Sequence, residues 1–230
     1  MSEAPWLTIV GLGEDGPEGL TSASLRALKE AEVIMGPPRH LTLLPAVEAE
    51  RIAWPVPFAD GFPQLLALKP RRTVALASGD PFWFGAGTSI SRHLDPGEWR
   101  ALPGPSSFSL ASARMGWPLE RTACLGLHAA PLTRLRPHLA PGARVIVLLR
   151  DGAAVEALGG YMTETGFGAS DVTVLEALGG PREQITRTKA SDLPGKTFAH
   201  PVCVAIDVSG TGAALPLASG RPDEWFDNDG

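Results

Sequence analysis

The run Thr73-Val-Ala-Leu-Ala77 stops abruptly at Ser78-Gly79-Asp80-Pro81, and this pairing of a short apolar run with a glycine turn constrains the fold more than any other stretch. A strand wetted on one face alternates apolar and polar residues. One that stays apolar throughout is covered on both faces, as in a parallel sheet with helices above and below. In open sheets of that kind ligands settle outside the carboxyl ends of the strands, and a glycine there lets them come close to the backbone. Asp80 offers a carboxylate to a hydroxyl or an amine. Pro81 turns Asp80 away from helical dihedrals, so the chain leaves the strand in a fixed direction before Phe82, Trp83 and Phe84. The same residues also describe a capped turn over a core.

The preceding stretches share this grammar. Leu7-Thr-Ile-Val10 reads as a first strand, and Gly11-Leu-Gly-Glu-Asp-Gly16 after it matches G-x-G-x-x-G. In a dinucleotide site the helix opens inside those glycines, so that its amino end faces the pyrophosphate. Here Pro17-Glu-Gly19 prolongs the loop, and the helix runs from about Ala23 to Glu32 with Thr21 or Ser22 as its cap. The ribose-binding acid is missing as well, because Glu32 precedes the second strand, Val33-Ile-Met35. Gly36-Pro-Pro-Arg-His40 ends that strand and sets a cationic pair, Arg39 and His40, on the same edge; a solvated helix start is the alternative. Helices follow over residues 62–68 and 88–94. Pro103-Gly-Pro-Ser-Ser107 is a turn whose serines can cap the helix 108–115, and its hydroxyls and amides suit a carboxylate or a ribose.

Gly116-Trp-Pro118 breaks the pattern, which divides the chain into residues 1–116, an α/β domain with a mainly parallel sheet, and residues 117–215. In the second part strands at 123–127, 143–149, 171–177, 184–188 and 202–208 alternate more and lie closer together. That spacing predicts a mixed or antiparallel sheet, with helices at 132–139 and 153–163 on one side of it. Residues 216–230 read as an acidic tail, or as a junction to a further module.

The fold class is therefore α/β, and 44% hydrophobic residues in 230 are ample for its cores. A net charge of -5 argues against a nucleic-acid surface. No apolar run is long enough for a bilayer, and the compartment expected is the cytoplasm. Cys124 and Cys203 match no disulfide framework or zinc spacing and are expected to be buried thiols. The five histidines share no short spacing, and neither a G-x-S-x-G elbow nor a P-loop occurs, so no metal site and no catalytic nucleophile are expected. What remains is a set of glycine-rich strand ends suited to a nucleoside-like ligand.

Three motifs, in order, resemble the tetrapyrrole methylases. Val10-Gly-Leu-Gly-Glu-Asp-Gly16 looks like the family's V-G-x-G-P-G loop, Ser78-Gly-Asp-Pro-Phe-Trp-Phe-Gly85 like its G-D-P-x-x-F-G signature, and Pro103-Gly-Pro-Ser-Ser107 like its P-G-x-[ST]-[SA] turn. Glu14 stands where many relatives carry proline. Within the family, Gly36-Pro-Pro-Arg-His-Leu41 and Ser106 to Pro118 look most like precorrin-6Y methyltransferases of cobalamin biosynthesis. The resemblance implies two αβα-type domains with S-adenosylmethionine in the cleft between them, a homodimer, and C-methylation of a precorrin-6 macrocycle at carbon 5. Another tetrapyrrole intermediate, or a nucleotide-dependent oxidoreductase, is the alternative. Carried over by motif, the cofactor residues are Leu12, Glu14, Ser78, Gly79, Asp80, Trp83, Ser106, Ser107, Leu149 and Gly179. Arg39, His40 and Arg114 are the expected cations for substrate carboxylates, and Gly79→Val is expected to block the cofactor while sparing the fold. The resemblance also extends to bifunctional enzymes, in which a second methyltransferase module methylates carbon 15 and decarboxylates.

Overall fold

All six residues of Leu7–Leu12 (β1) and all four of Val33–Gly36 (β2) are buried, as only strands with a core on each side can be. With Glu50–Ala53 (β3), Thr73–Ser78 (β4) and Trp99–Leu102 (β5) they form a parallel sheet in the order β3-β2-β4-β1-β5. Successive side chains point to opposite faces, and the two faces feed separate cores. Leu7, Ile9, Val33, Met35, Ala75 and Ala77 lie on one; Val10, Ile34, Val74 and Leu76 lie on the other. Helices α1 (Ser22–Glu30) and α2 (Pro38–Leu43) cover the second face with Ala27, Leu28 and Leu41. Helices α3 (Gly61–Leu66) and α4 (Gly87–Ser91) cover the first with Leu65 and Ile90. Thr21 caps α1, its hydroxyl oxygen accepting the Ser24 amide at 3.1 Å, a contact that contributes about 1 kcal/mol.

The structure, a computed structural model, describes residues 5–215; the expected tail 216–230 lies outside them. Two compact units emerge, Met1–Leu110 with Leu178–Glu183, and Ala111–Ala177 with Gln184–Gly230. Helix α5 (Ser107–Met115) carries the chain out of the first unit.

In the second unit Ala123–Gly126 (β6), Arg144–Leu149 (β7), Asp171–Glu176 (β8), Gln184–Lys189 (β9) and Val202–Asp207 (β10) run in the order β6-β7-β10-β8-β9. Only β6 and β7 are parallel; the other three pairings are antiparallel. Alternate residues of the central strands, Val145, Val147, Val172, Val174, Val204 and Ile206, pack with Val155, Leu158 and Met162 of helix α6 (Gly152–Glu164). The helix expected over 132–139 is instead a 3-10 helix, Leu132–His138, with Pro137 inside it. A proline there has no amide hydrogen for an α-helical ladder. Among the described residues no helix is long and apolar enough to cross a membrane.

Candidate functional site

Strands β4, β1 and β5 lie side by side, so their carboxyl ends bring three turns to one edge of the first sheet. The turns meet through their main chains. The Gly79 amide donates to the carbonyl of Leu12 at 3.0 Å, and the Gly79 carbonyl accepts from the Gly104 amide at 3.0 Å. A side chain on Gly11 would collide with that Gly79 carbonyl, and one on Gly104 would press to 3.1 Å from the carbonyl of Gly11. Gly79 itself sits at φ +53°, a left-handed conformation that glycine adopts without a Cβ penalty. The three turns thus form a floor of main chain packed too closely for a side chain at any of these glycines.

The loop after Gly79 is held by its own turn. Asp80 Oδ1 accepts the Phe82 amide at 2.9 Å, and the Pro81 carbonyl accepts the Gly87 amide at 2.8 Å. Trp83 lies over Phe108 with ring centroids 4.8 Å apart, while Phe84, at φ +58°, leaves 48% of its surface exposed. A bulky residue in that region of backbone space is uncommon and strained. The buried Ser106 caps α5, its Oγ accepting the Ser109 amide at 3.1 Å, and the exposed Ser107 is the first residue of that helix.

A charged cluster borders this floor. The Glu14 carboxylate, 8% exposed, is ion-paired to Arg39 through Oε1 and to Arg182 through Oε2, the latter at 2.9 Å. Arg39 Nη2 lies 2.9 Å from His40 Nε2 and 3.4 Å from Ser78 Oγ, and the same Nε2 lies 3.1 Å from Ser78 Oγ. A guanidinium only donates, so His40 Nε2 is the acceptor of that pair and the ring hydrogen sits on Nδ1. Nδ1 is buried without a partner among the described residues. Burial, and then the charge of Arg39, hold the His40 pKa down at about 3, so the ring is neutral near pH 7. Burial likewise lowers Arg39 below its ordinary value, with the like charge of Arg182 adding to the effect. Glu14 and Arg182 are 168 residues apart, and no local signal in the sequence links them.

The first unit therefore brings together Leu12, Glu14, Arg39, His40, Ser78, Gly79, Asp80, Trp83, Ser106 and Ser107. Gly179 belongs to it too, in the loop Leu178–Glu183, at φ +82° and with its amide donating to Glu183 at 2.7 Å. Leu149, buried at the carboxyl end of β7, and Arg114, exposed on the last turn of α5, belong to the second unit. Cys203 is buried, which pushes its thiol up to about 12, whereas Cys124 is only partly buried.

Residues 6–194 match the family profile described as tetrapyrrole (corrin/porphyrin) methylases. Over 231 residues the chain is 43% identical to a precorrin-6Y C(5,15)-methyltransferase [decarboxylating] of Sinorhizobium sp., covering 99% of this chain and 56% of the relative. Over 110 residues it is 34% identical to the cobalt-precorrin-7 C(5)-methyltransferase of Salmonella typhimurium, covering 48% of this chain and 55% of the relative. The chain thus spans about half the length of the curated relatives it matches. A solved uroporphyrin-III C-methyltransferase of Thermus thermophilus, complexed with S-adenosylhomocysteine, shares the fold at a TM-score of 0.69 and 22% identity, over 87% of this chain and 96% of that one. Two α/β units, a glycine-floored strand edge in the first, and a match that runs through both units lead to one conclusion: the chain belongs to the tetrapyrrole methylases.

Proposed function

We propose that this chain transfers a methyl group from S-adenosylmethionine to a carbon of a precorrin-6 macrocycle, carbon 5, in cobalamin biosynthesis. The observation that carries the reading is the meeting of three glycine turns, at Gly11, Gly79 and Gly104, packed main chain to main chain at the carboxyl ends of adjacent parallel strands, where ligands of such sheets settle. It is supported by the family and by the names of the relatives, which methylate precorrins. The cofactor residues of the first unit fit such a ligand: main chain at Leu12, Glu14, Ser78, Gly79 and Gly179, the hydroxyl groups of Ser106 and Ser107, the carboxylate of Asp80 and the ring of Trp83. The Glu14 side chain is taken by two arginines, so this residue serves the cofactor through its main chain. The roles of Leu149 for cofactor and Arg114 for substrate rest on the resemblance.

When bound, S-adenosylmethionine supplies an electrophilic methyl group on a sulfonium sulfur. The macrocycle brings its own electron-rich enamine carbon, so the work of the protein is to align the reactants and exclude water. Arg39 and Arg114 neutralise peripheral carboxylates. His40, neutral, acts through the orientation it gives Arg39. The proposal includes a homodimer, a cytoplasmic setting, and a second methyltransferase/decarboxylase module as partner.

Calorimetric titration with S-adenosylhomocysteine and with NAD separates this reading from an oxidoreductase, for which the late start of α1 at Ser22 is already unsuited. Methyl transfer to a precorrin-6 substrate, with the new methyl located by carbon-13 NMR, tests the rest. Binding of NAD in place of S-adenosylhomocysteine, or no methylated macrocycle, would overturn it.

A further inference from the structure

One carboxylate stands between two guanidiniums at the border of the glycine floor. Glu14 is the buried member, at 8% exposure, while Arg39 keeps 31% and Arg182 59% of their side chains exposed. The anion therefore lies inward and the cations lie outward. With His40 neutral, the cluster of Glu14, Arg39 and Arg182 carries one net positive charge. Each guanidinium has five N–H donors in a planar fork, and a fork engaged at one nitrogen still has donors for a second carboxylate. Arg182 meets Glu14 through Nη2, and Arg39 meets it through Nη1 while Nη2 reaches His40 and Ser78.

An ordinary structural ion pair matches charge one to one, and burial then favours neutrality, since desolvated excess charge is costly. In this cluster two guanidiniums share one carboxylate, and the more exposed of them, Arg182, keeps donors open to solvent that a further carboxylate can reach. We propose that Arg182 joins Arg39 in receiving one peripheral carboxylate of the substrate, with Glu14 as the positioning residue that holds one guanidinium on each of its oxygens. The inference rests on the reading of the substrate as a polycarboxylated tetrapyrrole, and it adds a residue that no motif marks: Arg182 lies on the loop between β8 and β9, outside all three family-like stretches.

Arg182→Ala is the informative change, because Arg39 remains on Glu14 and the removed side chain is mostly in solvent, so the fold is retained. Steady-state methylation of the precorrin-6 substrate and calorimetry with S-adenosylhomocysteine are run on the wild type, Arg182→Ala and Arg182→Lys. The expected result is a KM about tenfold higher or more in Arg182→Ala, the loss of a charge-assisted contact, with kcat within about twofold and cofactor affinity unchanged. Arg182→Lys restores part of the KM, since it keeps the charge without the fork. A KM unaltered by Arg182→Ala overturns the inference and leaves the methyltransferase reading standing. If the wild type methylates nothing, that reading falls, and fluorescence titration with the polycarboxylate uroporphyrin III decides the subsite alone. Weaker binding by Arg182→Ala than by wild type upholds it; equal binding by the two, or none by either, refutes it.

Discussion

The carbonyl oxygen of Gly79 accepts the amide hydrogen of Gly104 at 3.0 Å, joining the turns after β4 and β5 across the end of β1, the strand between them. Three loops are fastened here by main chain alone, so the first side chain added at this point changes both stability and whatever binds above it.

Gly79→Ala and Gly79→Val are accordingly expected to weaken the fold as well as cofactor binding, which corrects the view that Gly79→Val spares the fold. The position has φ +53°, and its Cβ would come within 2.8 Å of the Pro105 carbonyl oxygen. Strain of this kind costs about 1–3 kcal/mol. Gly11→Ala, whose Cβ would strike the Gly79 carbonyl, should cost at least as much. Urea denaturation of the three variants reads the effect; midpoints equal to wild type would contradict the contacts described.

Arg39→Ala removes one partner of the buried Glu14 carboxylate. Abandoning a buried charge outright costs about 3–5 kcal/mol, and Arg182 on the other oxygen should hold the loss to roughly 2 kcal/mol. Adding Glu14→Gln to Arg39→Ala deletes the uncompensated charge and should return most of that stability. A double variant as unstable as the single one would show that Arg39 stabilises through packing alone.

His40 makes stability depend on pH. Its pKa is about 3 in the folded chain and about 6.5 when unfolded, so the folded state binds the proton less readily. The stability this contributes is fully present above the unfolded value and is lost as pH falls from about 6.5 towards 3, with a limiting slope of about 1.4 kcal/mol per pH unit. His40→Gln should flatten the stability curve over that window relative to wild type. Parallel curves for the two proteins between pH 6.5 and 4 would mean that the ring is not held neutral.

The buried strands were legible because each packs against a core on both faces. Leu7–Leu12, Val33–Gly36 and Thr73–Ser78 are apolar runs closed by glycine or serine, and the runs mark the strands to within a residue or two. The edge strands β3 and β5 were not legible. Their residues are exposed or only partly buried, and Glu50-Arg-Ile-Ala53 and Trp99-Arg-Ala-Leu102 carry no run to find. The site divides in the same way. Glycine turns at strand ends have a local signature, so the turns that carry Gly79 and Ser106 can be read along the chain. The partnership of Glu14 with Arg182 depends on how the loop after β8 folds back, and nothing next to either residue encodes it. Even His40 changes meaning with its surroundings: next to Arg39 in sequence it reads as a second cation, whereas burial beside that charge makes it neutral.

The last prediction concerns the number of methyl groups delivered. The Sinorhizobium relative is named for methylation at two carbons and for decarboxylation, and this chain matches 56% of it; the Salmonella relative is named for carbon 5 alone. The described residues contain one sheet whose parallel strands converge on a glycine floor, while the second sheet is largely antiparallel and offers no such edge. On the proposed reading one floor of this kind aligns one methyl donor against one carbon, and alignment is the main contribution asked of the protein in this chemistry. These 230 residues alone should therefore add a single methyl group to a precorrin-6 substrate and release no carbon dioxide. Mass spectrometry of the product after exhaustive incubation with excess S-adenosylmethionine, with a parallel assay for carbon dioxide, checks both halves. A product heavier by two methyl groups, or lacking a carboxyl group, would place the second activity within this chain and remove the need for a further module.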